Sequence, residues 1–389
     1  MATPAARAAS FPGVGARTAT TVAKAPWSVY AVLFASTCVV FGVLWDISWH
    51  RTIGRDTFWT PAHMAIYLGG VVAGLTCGWL AIHTTFFGTP DERGASVRFW
   101  GFRAPLGAWV AIWGAFAMLT SAPFDDWWHS AYGLDVKIVS PPHMLLAAGI
   151  AAIQFGAMLT AVAWQNRAQG DRRQLGRLFL LGAGLLILLI ATICTEYTQR
   201  WDMHQSLFYQ VTAGAFLFFL VSTARASVAR WPATTAAVVY TLLTLFMLML
   251  LPLFAGRPLL GPIYVQVDRF LPPDFPILLV VPAFCLDLVM QRVRGRDWTL
   301  AAVLAVVFVA AFLVVQWPFA DFLMTPWARN WFFVSDRMQY SVDPTMQARW
   351  YVLNRPDNLA VGLPIAVVIG FLSARCGLWW GNWMSRVQR

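Results

Sequence analysis

Long apolar runs recur along the whole chain, and they constrain its fold more than any other feature. Each of ten runs approaches or exceeds the length of about 20 residues that a helix needs to cross a bilayer. The runs cover residues 27–48, 62–85, 103–122, 141–164, 177–194, 206–226, 233–255, 275–291, 298–318 and 359–380. Charged residues make up only 12% of the 389, against about 25% in a soluble domain. The sequence therefore predicts an all-α, polytopic integral membrane bundle of about ten transmembrane helices in a lipid bilayer.

Charge is distributed unevenly between the two sides of this predicted bundle. The side with the N-terminus, the even-numbered connections and the C-terminus holds 18 of the 28 Lys and Arg residues but only four acids. The opposite side holds thirteen acids. Short basic loops face the cytoplasm, so we expect cytoplasmic termini in the cell membrane and a periplasmic or extracellular acidic side. The net charge of +10 does not predict a nucleic-acid partner, because the basic residues are scattered over short loops.

The chain divides into three predicted regions. Residues 1–25 are expected to form a disordered cytoplasmic tail, residues 26–165 a four-helix half, and residues 166–389 an additional transmembrane bundle. Within the last region, the aromatic-rich polar stretch 319–358 is expected to lie at the membrane interface. The run 275–291 fits a span least well, because it is short and contains Asp287. Without this span, the C-terminus would lie on the opposite side of the membrane.

Two polar motifs repeat in the same order within the four-helix half. The first comprises Asp46, Trp49, His50, Gly54, Asp56, Thr60, Pro61, His63 and Met64. The second comprises Asp125, Trp128, His129, Gly133, Asp135, Ser140, Pro141, His143 and Met144. The motifs use four of the six histidines of the chain, and all four fall on the acidic side. An Asp with two His is a metal-binding set, so the duplication predicts two metal sites built on one plan.

The spacing of each motif predicts how its ligands meet. Asp46 and His50 are four residues apart, which places them on one face near the end of a helix. Thr60 is a good N-cap and Pro61 suits the first helical position, so His63 falls in the first turn of the next helix. A helix N-terminus disfavours the protonated imidazole, and the neutral form binds metal.

The second motif predicts the same arrangement, with Asp125, His129 and His143 as its ligands. Asp126 is an alternative carboxylate, but only Asp125 keeps the spacing of three intervening residues to the histidine. A structural hydrogen bond between an Asp and a His at a helix end is the competing interpretation for either motif. The duplication weighs against it, unless the hairpin was duplicated for structural reasons alone.

Five further polar residues on the acidic side are candidates to orient the ligands or to relay protons. They are Asp56, Asp135, Glu196, Asp202 and His204. Asp56 and Asp135 keep equivalent positions in the repeat, and salt links to Arg55 or Lys137 in the turns are an equal alternative for them. A solvated loop is the favoured interpretation for the other three residues.

The string from Trp49 to His63, WHRTIGRDTFWTPAH, with Asp46 ahead of it, resembles the C subunit of the copper-dependent membrane monooxygenases. This is the family of particulate methane and ammonia monooxygenases. Its C subunit carries an Asp-x3-His-x12-His set, which Asp46, His50 and His63 match position by position. The second set of the family begins with Asn, where this chain has Asp125. The resemblance covers about residues 27–165.

The resemblance implies copper as the metal, although the donor set itself also suits non-haem iron or zinc. It implies dioxygen activation and oxidation of a small apolar substrate, with cupredoxin-type and other membrane subunits as partners. Electrons would come from quinol or a donor protein; a homo-oligomer is also compatible with the sequence. The alternative function is a non-catalytic membrane protein for copper binding, copper transfer or oxidase assembly. A structural subunit that has kept the motif is a third interpretation.

Overall fold

The computed structural model describes residues 24–133, 140–261, 263–264, 266–293, 295–334 and 357–389. The long helices are α1 (Trp27–Thr52), α2 (Pro61–Phe86), α4 (Leu106–Tyr132), α5 (Pro141–Arg167), α6 (Arg173–Ile193), α7 (Ser206–Ala226), α8 (Pro232–Leu250), α10 (Asp297–Leu323) and α11 (Leu359–Met384). Two are shorter, α3 (Pro90–Gly94) and α9 (Val280–Arg292). Nine helices in the described ranges are long and apolar enough to cross a membrane. The predicted all-α polytopic membrane bundle is therefore confirmed, with nine continuous spans instead of ten.

Small elements occupy the connection between α2 and α4. Strands β1 (Val97–Phe99) and β2 (Phe102–Ala104) pair antiparallel as a short hairpin. The preceding α3 begins with a capping box, in which the Thr89 hydroxyl accepts from Glu92 N–H and the Glu92 carboxylate accepts from Thr89 N–H. The bond from the Thr89 backbone lowers the pKa of Glu92, because it favours the charged carboxylate.

Each repeated motif lies on a hairpin of two antiparallel helices, α1–α2 and α4–α5. In the second hairpin the backbones approach so closely that a Cβ on Gly114 would lie 2.8 Å from the Gly149 carbonyl oxygen. Small residues permit such close packing between membrane helices. Both hairpins turn at the same end of the bundle, which is called the motif end below. It carries the last turns of α1 and α4 and the first turns of α2 and α5.

The first and last described residues lie at the end opposite the motif end. Tyr30, near the start of α1, accepts a hydrogen bond from Gln174 at the start of α6. Asn166, at the end of α5, donates to the carbonyl oxygens of Met384 and Val387, both at 2.9 Å. Because the chain starts and finishes at the same end of the bundle, it must cross the bundle an even number of times. That this end faces the cytoplasm stays a prediction.

A crossing between α8 and α10 adds to the nine long helices. It consists of a non-helical segment followed by the short helix α9. Leu271 N–H donates to Thr52 Oγ1 at the motif end of α1, at 2.9 Å. Deeper in the bundle, Ile277 N–H donates to the Tyr240 hydroxyl at 3.2 Å. At the far end, Asp287 of α9 accepts from the N–H groups at the start of α8. The chain therefore passes from one end to the other, although helix forms only from Val280 onwards.

The predicted helical run 275–291 was wrong in its first residues, and proline explains the difference. Pro272, Pro273 and Pro276 lack backbone N–H groups and disfavour helix in the residues before them. Backbone without helical hydrogen bonds is tolerated at membrane depth only where protein groups satisfy it. The Tyr240 hydroxyl does so for Ile277, and Gln316 Oε1 accepts from Leu278 N–H at 2.9 Å.

Two other predicted regions are only partly described. The stretch 319–358 begins inside α10, which ends at Leu323, and includes a 3₁₀ turn at Pro326–Ala328. Its residues 335–356 lie outside the described residues, as do residues 1–23 of the predicted tail. The division of the chain into a four-helix half and an additional bundle stays a prediction.

We predict that Tyr240→Phe destabilises the protein by about 1–3 kcal/mol, because it leaves the buried N–H of Ile277 without an acceptor. Thermal or denaturant unfolding in detergent measures the effect. Tyr264→Phe is the matched control: Tyr264 is 42% exposed, and a surface change of this kind costs within about 0.5 kcal/mol. Equal stability of the two variants would contradict the assigned role of Tyr240.

Candidate metal centres at the motif end

The first hairpin brings four ionisable side chains together at the motif end. Asp46 and His50 lie one turn apart near the end of α1, and His63 lies in the first turn of α2. Between the helices the chain reverses at Gly54, whose φ of 83° is a conformation that glycine adopts without steric cost. Asp56 follows in the connection. Three consecutive segments thus contribute to one cluster.

The distances within this cluster are short. His63 Nε2 lies 3.1 Å from Asp46 Oδ1 and 3.4 Å from Asp56 Oδ2. His50 Nε2 lies 3.7 Å from Asp46 Oδ2 and 3.5 Å from Asp56 Oδ2. The His50 side chain is 47% exposed, whereas that of His63 is 20% exposed. The cluster therefore lies at the surface of the motif end, with His50 on its open side.

Hydrogen bonding indicates which nitrogen of His63 is available as a ligand. Its Nδ1 lies 2.9 Å from the Thr57 carbonyl oxygen, and a carbonyl can only accept, so Nδ1 carries a proton. In the neutral imidazole, Nε2 then holds a lone pair. This lone pair faces the buried Asp46 Oδ1 at 3.1 Å. Two acceptors at that distance repel each other unless a proton or a metal ion lies between them.

The separations also fit a single metal ion. In a tetrahedral site with ligand bonds of about 2.0–2.1 Å, neighbouring donor atoms are about 3.3 Å apart. The four N–O separations of 3.1–3.7 Å lie close to that value. Asp46, His50 and Asp56 each place one ligand atom within 4.8 Å of the others, and His63 lies outside that group although its Nε2 contacts both carboxylates. Imidazole nitrogen with carboxylate oxygen suits copper, zinc and non-haem iron alike. The geometry therefore fits a divalent transition-metal ion without selecting one.

The second hairpin repeats the arrangement. Asp125 Oδ2 lies 3.5 Å from His129 Nε2, and Asp125 Oδ1 lies 3.6 Å from His143 Nε2. His129 Nδ1 lies 3.0 Å from the Gly133 carbonyl oxygen, so this ring too presents Nε2 to the carboxylate. His143 Nδ1 lies 2.9 Å from the Ser140 hydroxyl. One ligand atom from each of the three residues lies within 4.8 Å of the others.

In both hairpins, the residue at the N-cap position of the second helix does not make the capping hydrogen bond that was predicted. Thr60 and Ser140 occupy the N-cap positions of α2 and α5, but neither side chain bonds a helical N–H. The Thr60 hydroxyl accepts from Thr57 N–H at 2.8 Å, which fixes the carbonyl that holds His63. Ser140 contacts His143 instead. Both hydroxyls therefore help to orient a histidine, which helix capping rules do not predict.

Asp56 lies closer to the histidines than the repeat alone indicated. Its carboxylate oxygen lies within 3.5 Å of Nε2 of both His50 and His63, so it is a potential ligand itself. Its equivalent, Asp135, lies outside the described residues. Asp126, the alternative carboxylate of the second motif, is exposed and is absent from the three-residue group around Asp125.

Sequence analysis did not identify Tyr67, which lies between the two clusters. It follows His63 by one helical turn on α2, with ring centroids 6.2 Å apart. Its phenol interacts electrostatically with the carboxylates of Asp46, Asp56 and Asp125. The two clusters therefore form separate groups that share a neighbour. The spacing of four from His63 is the only sequence signal that pointed to this residue.

Glu196, Asp202 and His204, the candidates that follow α6, lie outside both metal-ligand groups. His204 Nε2 lies 2.9 Å from Asp321 Oδ1 of α10, and its ring packs against Trp317. Glu196 lies in a 3₁₀ turn. Asp202 is half-buried in the following turn, and burial raises its pKa to about 6. In the described part of the chain, none of the three belongs to either metal-ligand group.

Comparison with family models, curated proteins and solved structures finds no match to this chain. The likeness to the monooxygenase C subunit therefore stays a prediction from the two motifs.

We predict that each hairpin holds one metal ion. Elemental analysis of purified, metal-loaded protein should show two ions per chain and one in His50→Ala/His63→Ala or His129→Ala/His143→Ala, because each pair removes both nitrogen ligands of one centre. His83→Ala, which changes a histidine at the opposite end of α2, should keep both ions. Metal-free wild-type protein, or unchanged metal content in both double variants, would contradict the assignment.

Asp125 and Asp126 are adjacent in the second hairpin, so their variants compare a predicted ligand with a neighbouring carboxylate. Asp125→Ala should weaken metal binding at this centre by at least about 10- to 100-fold, the loss seen when a group that only hydrogen-bonds to a ligand is removed. Asp126→Ala should bind as wild type does, because its exposed side chain lies outside the group. Competition with a chelator measures both affinities, and equal losses would contradict the geometry.

Proposed function

We propose that this protein is a membrane copper protein with two metal centres at its motif end, and that it oxidises a small apolar substrate with dioxygen. The observation that carries the metal proposal is the meeting of histidine Nε2 atoms with carboxylate oxygens in both hairpins, at 3.1–3.7 Å. Copper binds nitrogen and oxygen sites more tightly than the other divalent first-row metals. The copper monooxygenase resemblance supports the same choice.

The residues of the first centre have distinct roles in this proposal. His50, His63 and Asp46 hold the metal ion, and Asp56 supplies a further oxygen or orients a histidine. The Thr57 carbonyl keeps the His63 ring in the tautomer that presents Nε2, as groups behind metal ligands commonly do. In the second centre, His129, His143 and Asp125 hold the ion, with the Gly133 carbonyl in the role of Thr57.

Bound copper would supply the one-electron chemistry that activation of dioxygen needs. Overall, one oxygen atom enters a C–H bond of the substrate to give an alcohol, and the other leaves as water. The reaction takes up two electrons and two protons, which a quinol or a reduced donor protein provides. Apolar substrates partition into the bilayer, and the centres lie at the ends of its spanning helices. Cupredoxin-type subunits and other membrane chains are the partners that the resemblance implies.

A second candidate function is copper transfer without catalysis. The observation in its favour is the 47% exposure of the His50 side chain, which leaves one ligand open to exchange with a carrier. This function needs the same ligands but no substrate and no electron donor. It predicts metal that leaves readily to an external chelator.

Reaction with ¹⁸O-labelled dioxygen distinguishes the two functions. Copper-loaded protein, supplied with a quinol and a short alkane, should form ¹⁸O-labelled alcohol, and His50→Ala/His63→Ala should form no more than metal-free protein. His83→Ala is the matched control and should keep the activity. Full copper occupancy without dioxygen uptake or labelled product would contradict the oxidation. Rapid copper loss to a chelator in the same sample would support transfer.

A further inference from the structure

The β1–β2 hairpin lies at the end of the bundle opposite the motif end, and two membrane helices hold it there. The Arg103 N–H donates to the Thr85 hydroxyl of α2 at 2.8 Å. Trp109 Nε1 of α4 donates to the Val97 carbonyl oxygen at 3.0 Å. A two-stranded hairpin is only marginally stable by itself in water, so these contacts make it a fixed part of the protein surface.

One face of the hairpin carries two arginines that lie directly opposite each other, Arg98 and Arg103. The Arg103 N–H points away from β1 to Thr85, so this is a non-hydrogen-bonded pair, in which facing side chains approach most closely. Like charges in such a pair destabilise a sheet. Within the described ranges, neither guanidinium has a carboxylate at salt-bridge distance. The nearest acid before β1, Glu92, instead accepts from Thr89 N–H.

The other face of the hairpin is aromatic and packs on the two helices. Phe102 lies against Phe86 of α2 and Phe99 against Trp113 of α4, with ring centroids 6.2 Å apart in each pair. These four rings are 39–61% exposed. Exposed aromatic rings near the ends of membrane helices form the belt at the membrane–water interface. The hairpin therefore lies at the level of the lipid headgroups, and its arginines project from the opposite face because strand side chains alternate.

The turn of the hairpin contains a residue that suits the interface better than it suits the turn. Trp100 and Gly101 form the two-residue loop, with φ values of 48° and 86°. Such a loop favours Asn or Gly at both positions, because positive φ strains a bulky residue. Trp100 is nevertheless 78% exposed, with its ring 5.0 Å from Phe99 and 5.7 Å from Trp113. Tryptophan is a typical anchor at headgroup level.

We propose that the arginine face of this hairpin is a docking surface for the headgroup of an anionic phospholipid of the phosphatidylglycerol class. The lipid phosphate supplies the counter-charge that the arginine pair lacks. Arg98 is exposed. Arg103 Nη1 donates to the Arg93 carbonyl oxygen at 3.2 Å, which leaves its other N–H groups for the phosphate. This end of the bundle is the side predicted to face the cytoplasm, and cytoplasmic leaflets carry anionic lipids.

Native mass spectrometry of the full chain in detergent tests the site, because it resolves each bound lipid by mass. Phosphatidylglycerol and phosphatidylcholine with identical acyl chains are titrated separately. Wild-type protein should bind its first phosphatidylglycerol at least about 10-fold more tightly than phosphatidylcholine, since each arginine near a membrane surface contributes about 5-fold. Arg98→Gln/Arg103→Gln should lose at least about 10-fold in affinity for phosphatidylglycerol. Arg172→Gln/Arg173→Gln, which removes equal charge at the same end of the bundle, should bind as wild type does.

A single substitution keeps the outcome decisive if the double variant does not fold. Arg98→Gln changes an exposed side chain without a described partner, so the fold should be kept while affinity for phosphatidylglycerol falls by about 5-fold. Equal affinity of wild-type protein for the two lipids would overturn the proposal. Unchanged affinity in Arg98→Gln, or an equal loss in the Arg172→Gln/Arg173→Gln control, would also overturn it. His50→Ala/His63→Ala should bind lipid as wild type does, which separates this surface from the proposed copper function.

Discussion

The cost of leaving a backbone or charged group unpaired in hydrocarbon governs this structure. Nine long helices in the described ranges satisfy their backbone groups internally, as a bilayer requires. The one crossing that departs from helix does so among protein groups: Tyr240, Gln316 and the Thr52 hydroxyl accept its N–H groups. Ionisable side chains meet the same constraint by gathering at helix ends and facing one another. Both candidate metal centres belong to these exceptions.

The two hairpins show how a simple element positions a metal site. A helix end supplies a carboxylate and a histidine one turn apart, a glycine with positive φ reverses the chain, and the next helix start returns the second histidine. Backbone carbonyls of Thr57 and Gly133 engage Nδ1 of His63 and His129. Each of these rings then presents Nε2 to a carboxylate, an arrangement that needs a proton or a metal ion between the two atoms. Both hairpins have this geometry, with Asp46 and Asp125 in equivalent positions.

Sequence reasoning predicted the parts of the structure that depend on local pattern. Hydropathy predicted the spans, and a spacing of four predicted that Asp46 and His50 share a face. Sequence reasoning failed where hydropathy and residue preference leave out a competing interaction, whether local or tertiary. Hydropathy alone did not show that Pro272, Pro273 and Pro276 keep the first five residues of the run 275–291 out of helix. N-cap preference did not show that the Thr60 hydroxyl accepts from Thr57 instead of a helix N–H. The partner of His204, Asp321, is 117 residues away, and no periodicity indicates that pairing.

X-ray absorption spectroscopy of the copper-loaded protein tests the central claim, that Asp and His side chains of both hairpins ligate metal, most directly. The account predicts an average of two imidazole nitrogens per ion, completed by oxygen, with ligand distances of about 2.0–2.1 Å. It predicts no sulfur ligand, because the proposed ligands are aspartate and histidine side chains. A sulfur shell at about 2.3 Å, or a spectrum without imidazole scattering, would contradict the account.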